Sequence, residues 1–209
     1  IFCCGIVTPQ AMMTTYAQCT DLDSYMKKLA TLLLLLAGTY SAWAADGKAL
    51  TQVCAACHGA DGNSATDAFP SLAGQGSRYL IKQMEDIVSG ARPVPEMAGQ
   101  LDNLSAEELT AIADFYAGQT IVVKQAVSED ADIENFLDLG QRVYLAGNRN
   151  SGVTACVACH SPTGAGNAAA GWPALGGQHA GYIAKQLKAF RAAGREDLVA
   201  DNFKRVNDG

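Results

Sequence analysis

The chain has 209 residues and carries 15 Lys and Arg against 21 Asp and Glu, a formal net charge of −6. This acidic balance argues against nucleic-acid binding, which requires a basic surface. The acidic excess lies mainly in residues 45–125, with five basic and ten acidic side chains, whereas residues 126–209 carry eight and nine. Such asymmetry favours an oriented encounter with a basic partner surface. A surface that is simply soluble would show the same charge.

The N-terminal part of the chain contains a predicted secretory leader. Met26 and two lysines form a charged segment, residues 29–37 form a short apolar run, and residues 42–44 (A-W-A) match a cleavage site. The apolar run is shorter than the roughly 20 residues that a membrane-spanning helix needs. We therefore predict a signal peptide over residues 26–44, with an uncleaved anchor as the alternative. Residues 1–25 precede this start and are interpreted as non-native upstream translation.

The cysteines point to a covalently bound cofactor. Three of the seven lie in residues 1–25, and the other four form two C-x-x-C-H motifs, at residues 54–58 and 156–160. This motif is typical of c-type haem attachment, in which two thiols bind the porphyrin and the imidazole becomes an axial iron ligand. A four-cysteine zinc site would have its pairs roughly 15–20 residues apart, and a thioredoxin-like motif would not need the His. Both alternatives are therefore weaker.

The chain also contains an internal repeat. Cys54 corresponds to Cys156 at an offset of 102, and residues 69–75 (F-P-S-L-A-G-Q) correspond to residues 172–178 (W-P-A-L-G-G-Q) at 103. At the second offset Tyr79, Lys82, Gln83 and Arg92 correspond to Tyr182, Lys185, Gln186 and Arg195. Two copies predict two similar domains, over residues 45–125 and 139–209, with an acidic linker region over residues 126–138.

Both repeats are predicted to be helical, and no segment is a confident strand, so the predicted class is all-α. One short helix is expected from about Asp46 into the first haem motif, and its counterpart from about Asn135 to Ala146. A further helix follows each P-x-L-x-G-Q segment, where apolar residues recur at helical spacing; in the first repeat it ends at Gly90. In the first repeat this apolar set is Leu80, Ile81, Met84, Ile87 and Val88.

The strongest helix signal covers residues 106–117. Ser105 and Glu108 form a capping box at its start, and Gly118 follows its end. The second repeat has no counterpart of this helix before Gly209. We therefore interpret the sequence as C-terminally truncated. The repeat predicts a methionine loop and a closing helix beyond Gly209.

The two motif histidines are the predicted proximal ligands, His58 for the first haem and His160 for the second. The second ring nitrogen of a metal-bound His usually donates to a carbonyl or carboxylate. The carbonyl groups of Pro70 and Pro173 are the candidate acceptors. The alternative is that these prolines only shape their loops.

The two methionines of residues 45–209 have different surroundings. Met84 lies in an apolar helical stripe and is predicted to fill the core. Met97 lies in a loop with two prolines and is the predicted axial ligand of the first haem, with exposed loop packing as the alternative. His179 is predicted to be a surface or interface residue, and its ligation of the second haem is the alternative.

These motifs, together with the Y-[LI]-x-K-Q helix, closely resemble the dihaem cytochrome c4 family over essentially all of residues 45–209. The resemblance implies two tandem class I cytochrome c domains, the second incomplete here, and two covalently bound haem c groups. Carried over by position, it implies the following assignments. Haem one is attached to Cys54 and Cys57, with His58 and Met97 on the iron; haem two is attached to Cys156 and Cys159, with His160 on the iron. The sixth ligand of haem two is left undefined.

The resemblance also implies a periplasmic, sometimes membrane-associated carrier that passes electrons from the cytochrome bc complex toward terminal oxidases. His/Met ligation raises the haem potential and fills both axial positions. We therefore expect an electron carrier and not an enzyme, with no catalytic residue and no small-molecule substrate. Two alternatives remain. One is a dihaem subunit of an oxidoreductase such as a sulfide-oxidising flavocytochrome, and the other is a catalytic or sensing haem protein with one open iron site.

Overall fold

The computed structural model describes residues 25, 26, 28, 45–123 and 133–194. Residues 1–44 form one compact unit and residues 45–209 another. Most of the predicted leader, the first part of the predicted linker and residues 195–209 lie outside the described residues, as does any segment predicted beyond Gly209. No helix in the described ranges is long and apolar enough to cross a membrane.

The described part of residues 45–209 is built from short helices. The first repeat contains α1 (Gly47–Leu50), α2 (Ala55–His58), α3 (Ser77–Ser89), a 3-10 helix (Pro95–Met97) and α4 (Ala106–Ala117). The second repeat contains α5 (Ile133–Ala146), a 3-10 helix (Arg149–Ser151), α6 (Val157–His160) and α7 (Ala180–Ala193). Within the described ranges the only β pairings are two isolated bridges, 148 with 153 and 167 with 172. The all-α prediction is confirmed.

The predicted first helix is two helices separated by a turn. The Asp46 carboxylate accepts hydrogen bonds from the backbone N–H groups of Lys48 (3.0 Å) and Ala49 (3.3 Å), which starts α1. At Thr51 the side-chain hydroxyl donates to the Lys48 carbonyl (3.0 Å), and residues 51–54 continue as turns. A hydroxyl that bonds the local backbone competes with regular helix. The single continuous helix expected here is therefore corrected to α1 and α2.

Helices α3 and α4 end and begin where their capping residues predict. Gly90 follows α3 in the left-handed conformation (φ 79°), and its N–H donates to the Ile87 carbonyl. The Ser105 hydroxyl accepts from the Glu108 N–H (3.2 Å), while the Glu108 carboxylate accepts from the Ser105 N–H (2.8 Å). The predicted capping box and the predicted range 106–117 are both confirmed.

The core of the first repeat lies where α3 packs against α4. Leu80 from α3 meets Ile112, Ala113 and Tyr116 from α4, and Tyr116 is only 1% exposed. Met84 packs against this cluster, so its predicted core role is confirmed. Helix α1 also packs on α4, and it does so at Gly47, where a Cβ atom would lie 2.2 Å from the Ala111 carbonyl oxygen. Only glycine permits that approach.

The second repeat is more open. Helix α5 begins at Ile133, so residues 133–138 of the predicted linker region are helical, and the helix ends at Ala146 as predicted. Phe136, Leu137 and Leu139 of α5 are exposed. On α7, Leu187 is 61% exposed, although its counterpart Met84 packs against the core of the first repeat. Within the described ranges, the second repeat therefore exposes apolar side chains of the kind that α4 covers in the first.

The capping box gives a test of the first repeat's stability. Ser105→Ala removes the hydroxyl acceptor of the Glu108 N–H and should lower the free energy of unfolding by about 1 kcal/mol. Denaturant titration of the holoprotein measures this. The matched control is Ser89→Ala. Ser89 is an exposed serine at the C-terminal end of α3 whose hydroxyl donates to the Asp86 carbonyl of the same helix, and such surface changes stay within about 0.5 kcal/mol. Equal effects of the two substitutions would contradict the capping role.

Candidate haem-binding sites

Each C-x-x-C-H motif forms a single helical turn. Cys54 precedes α2, and its carbonyl accepts from the His58 N–H (2.9 Å); Cys156 precedes α6 and bonds the His160 N–H in the same way (3.0 Å). Side chains three and four residues apart lie on the same side of such a turn. The turn therefore presents both thiols and the imidazole of its motif to one side, as attachment and ligation of one haem require.

Both imidazole rings are held by a proline carbonyl. His58 Nδ1 lies 2.9 Å from the Pro70 oxygen, and His160 Nδ1 lies 2.9 Å from the Pro173 oxygen. A carbonyl can only accept, so Nδ1 carries the proton in each ring. The predicted proline acceptors are confirmed. Nε2 of each ring makes no hydrogen bond to the described residues, which leaves it available for iron.

An aromatic edge completes the surroundings of each imidazole. The Phe69 ring lies 6.3 Å from the His58 ring at an interplanar angle of 69°, and the Trp172 ring lies 6.3 Å from the His160 ring at 73°. The residue before each proline thus packs on the ring that the proline carbonyl binds. Both the hydrogen bond and the aromatic contact restrict rotation of the ring, and they are the same in the two repeats.

A glycine after each motif anchors the proline segment. The Gly62 carbonyl accepts from the Leu72 N–H, and the Gly164 carbonyl accepts from the Leu175 N–H, both at 2.7 Å. Gly62 has a φ of +81°, and a Cβ atom there would lie 2.6 Å from the Tyr116 ring. Glycine is therefore required on both conformational and steric grounds. These bonds set the distance between each motif and its proline.

The protonation of the first site suits a haem and not a reactive dithiol. Burial lowers the pKa of His58, and the hydrogen bond to Pro70 opposes this shift; the imidazole is neutral at pH 7, the form that binds a metal. Burial raises the pKa of the Cys54 thiol. Redox-active C-x-x-C motifs need a lowered thiol pKa. The thioredoxin-like alternative is therefore disfavoured.

The zinc alternative is disfavoured by the placement of the ligands. Among the described residues, no group of three or more His, Cys, Asp or Glu side chains is gathered to hold a metal ion. All four motif cysteines are free thiols. The two C-x-x-C pairs therefore do not converge on a common site, and each pair remains free to react with its own porphyrin.

Met97 occupies a different environment from Met84. It is the last residue of the 3-10 helix that begins at Pro95, and it is half-buried. It is not part of the hydrophobic cluster that includes Met84. Its role as an iron ligand stays a prediction.

The two repeats contact one another through a pair of glutamines that the sequence did not identify as functional. The Gln75 side chain donates to the Ala174 carbonyl (2.8 Å) and accepts from the Ala174 N–H (2.9 Å). The Gln178 side chain donates to the Ser71 carbonyl and accepts from the Ser71 N–H, both at 2.9 Å. We call these reciprocal contacts the glutamine clamps. Their signal in the sequence was the repeated Gln that ends each P-x-L-x-G-Q segment.

Further polar contacts surround the glutamine clamps. His179 Nε2 donates to the Ser64 carbonyl (3.0 Å), which confirms its predicted interface position. The Arg92 guanidinium donates to the Tyr182 hydroxyl at 2.7 Å. The ammonium of Lys185 lies 3.5 Å from the Glu96 carboxylate. Several polar side chains thus connect the two repeats.

Comparison with known proteins identifies the family. The cytochrome c family model matches residues 44–117 and 137–207. Cytochrome c4 of Pseudomonas aeruginosa is 49% identical over 173 residues, which cover 81% of this chain and 83% of the relative. The chain belongs to the cytochrome c4 family. The crystal structure of reduced recombinant cytochrome c4 from Pseudomonas stutzeri matches with a TM-score of 0.66 and 42% identity, over 77% of this chain and 86% of that chain.

Membership in the cytochrome c4 family confirms two class I cytochrome c domains and two covalently bound haem c groups. It also shows the general function, which is dihaem electron transfer. The free thiols, the neutral His58 and the available Nε2 atoms fit this cofactor. Another relative is the thiosulfate dehydrogenase electron acceptor of Stutzerimonas stutzeri, which is 37% identical over 86% of both chains.

The cofactor assignment predicts a stoichiometry. A Cys54→Ala/Cys57→Ala variant should keep one of the two haems on the polypeptide after acid–organic extraction, because only the second motif can still form thioethers. The alkaline pyridine spectrum, divided by protein concentration, measures this. The matched control is Cys156→Ala/Cys159→Ala, which should keep the other haem. Unchanged stoichiometry in either variant would overturn the assignment.

Proposed function

We propose that this chain is a periplasmic carrier that takes single electrons from a cytochrome bc complex and passes them toward a terminal oxidase. Haem one is held by Cys54 and Cys57, with His58 and Met97 as iron ligands. Haem two is held by Cys156 and Cys159, with His160 as its proximal ligand. The observation that carries the proposal is the repetition of one imidazole environment, with the same proline hydrogen bond and aromatic contact, in two domains that contact each other.

The fixed imidazoles suit electron transfer. A bound haem supplies a one-electron Fe(III)/Fe(II) couple. The Pro70 and Pro173 carbonyls and the Phe69 and Trp172 rings hold the two imidazoles in place. A ligand that is already oriented moves little when the charge beside it changes. Burial of His58, which is 6% exposed, also limits rearrangement of water at the first site.

The proposed ligand Met97 has a matched comparison in Met84. Met97→Ala should open the first iron and lower the potential of haem one, since His/Met ligation raises the haem potential. Met84→Leu should be nearly silent, because a volume-conserving core substitution usually costs less than about 1.5 kcal/mol. The weak near-infrared charge-transfer band of ferric His/Met haem is the readout. Loss of haem one's share of this band in Met84→Leu, and not in Met97→Ala, would show that the ligand assignment is wrong.

The acidic first repeat supports a partner with a basic docking surface. Asp61, Glu85, Glu96, Asp102 and Glu107 are all exposed. Long-range attraction between such a surface and a basic partner raises the association rate. Salt weakens it, because the screening length falls from about 30 Å at 0.01 M to about 8 Å at 0.15 M ionic strength.

This charge predicts salt-dependent electron exchange. The second-order rate constant for reduction by the purified bc complex should fall by roughly tenfold or more between 0.01 M and 0.15 M salt, within the range of electrostatic steering. A Glu85→Gln/Asp102→Asn variant should be slower at low salt and similar to the wild type at high salt. Asp138→Asn, an exposed change in the second repeat, is the control. A rate that does not respond to salt, or the same slowing in the control, would count against docking through the first repeat.

A second candidate partner follows from the thiosulfate dehydrogenase electron acceptor noted above, which is 37% identical to this chain. The carrier would then receive electrons from a thiosulfate-oxidising enzyme and not from the bc complex. Stopped-flow reduction by each donor, at equal concentration and ionic strength, separates the two. A much faster reaction with thiosulfate dehydrogenase and thiosulfate would replace the bc complex as the proposed donor.

The remaining alternatives have their own tests. A subunit of a sulfide-oxidising flavoprotein would co-purify with a flavin subunit. An open-site haem protein would bind carbon monoxide rapidly at haem two. Either result would replace the carrier proposal.

A further inference from the structure

The glutamine clamps act on the same peptide groups that hold the proximal histidines. Gln178 Oε1 accepts from the N–H of Ser71, and the carbonyl on the other end of that peptide bond belongs to Pro70. This carbonyl accepts from His58 Nδ1 (2.9 Å). In the second repeat, Gln75 Oε1 accepts from the N–H of Ala174, whose peptide partner is the Pro173 carbonyl. That carbonyl accepts from His160. Each glutamine is thus one peptide group away from the imidazole of the other repeat.

Hydrogen bonds joined through one peptide group strengthen each other. When the peptide N–H donates, its carbonyl becomes more negative and accepts more strongly, by about 10–30% per bond. A stronger acceptor at Nδ1–H makes the imidazole a better electron donor to the metal. Such a ligand stabilises ferric iron relative to ferrous iron and lowers the reduction potential, since hydrogen bonds around the ligands are among the means by which proteins set haem potentials.

We propose that Gln75 and Gln178 are positioning residues that act between the domains, each lowering the reduction potential of the haem bound to the other repeat through the proline peptide of that repeat. Docking of the two domains therefore sets both potentials. This inference rests on the proposed ligation of haem iron by His58 and His160.

The effect of Gln178 on haem one and the effect of Gln75 on haem two differ in size, because the two sites differ in burial. Ser71 is 1% exposed and His58 is 6% exposed, whereas Ala174 and His160 are only half-buried. A hydrogen bond has a larger electrostatic effect where water is excluded, because the local dielectric constant is lower. Gln178 should therefore affect haem one more than Gln75 affects haem two.

The test is a redox titration of the holoprotein that follows each haem separately by NMR. The haem resonances are assigned through their contacts to the side chains of Cys54 and Cys156. Gln178→Leu keeps the side-chain size and removes both hydrogen bonds to Ser71 and the bond that Gln178 Oε1 accepts from the His179 N–H. In this variant the midpoint potential of haem one should rise while that of haem two stays in place. In Gln75→Leu the potential of haem two should rise, by a smaller amount. Gln178→Asn is too short to reach Ser71 and should act like Gln178→Leu; it keeps a polar side chain in case the leucine variant folds poorly.

The NMR resonance of the proton on Nδ1 directly reports the strength of the hydrogen bond between the histidine and the proline carbonyl. In reduced protein labelled with ¹⁵N-histidine, the Nδ1–H resonance of His58 should move upfield in Gln178→Leu, because its hydrogen bond to Pro70 weakens. The resonance of His160 should not move. A substitution that only loosens the interface would not select one histidine in this way.

Tyr182→Phe is the matched control. It removes another hydrogen bond between the repeats, the one from Arg92, without touching either proline peptide. It should leave both potentials and both Nδ1–H resonances unchanged. Three results would overturn the proposal. The potentials could shift equally in the control and in Gln178→Leu, the shift could occur at the haem of the repeat that carries the substituted glutamine, or neither potential could shift. A wild-type protein without the His/Met near-infrared band would instead contradict the ligation of the proposed function.

Discussion

The hydrogen bond from each motif histidine to a proline carbonyl is the interaction on which the rest of this molecule depends. This hydrogen bond keeps the proton of the neutral imidazole on Nδ1, leaves Nε2 free to bind iron and fixes the orientation of the ring. The bond forms only because Gly62 and Gly164 tie the proline segments to the motifs. In the first repeat, Tyr116 of α4 packs against Gly62, so the position of α4 affects the proline segment through one small residue.

The same proline segments form the interface between the domains. Ser71 is almost completely buried, and the Gln178 side chain satisfies both its N–H and its carbonyl. A buried backbone group left without a partner costs about 1–3 kcal/mol. Separating the domains would expose these groups to water or leave them unpaired. The glutamine clamps therefore make the interface specific, because a shift in register by one residue would break all four of their hydrogen bonds.

The two domains are similar in their cofactor sites and different around them. The first is acidic, is closed by α4 and buries His58. Within the described ranges, the second exposes Leu187 and several apolar residues of α5, and its histidine is half-buried. Two haems in such different surroundings would have different potentials even with identical ligands, because burial and local charge both contribute.

The sequence alone determined the features that depend on neighbours along the chain. The C-x-x-C-H spacing identified the cofactor, Ser105 and Glu108 placed the start of α4, and the offset between the copies revealed two domains. The carbonyl groups of Pro70 and Pro173, a short distance along the chain from the histidines, were also named as candidate acceptors. These features rest on covalent chemistry, helical spacing or a short loop, so the local sequence contains the necessary information.

Only the tertiary structure decided how the repeats meet. Gln75 and Gln178 were visible as a repeated pair, but their partners Ala174 and Ser71 lie about a hundred residues away along the chain. No periodicity connects residues on two domains that dock face to face. The turn between α1 and α2 was also missed, because it depends on a side-chain hydrogen bond of Thr51 that competes with the helix. Contacts of this kind follow from the relative placement of whole domains and side chains, which the order of the residues does not display.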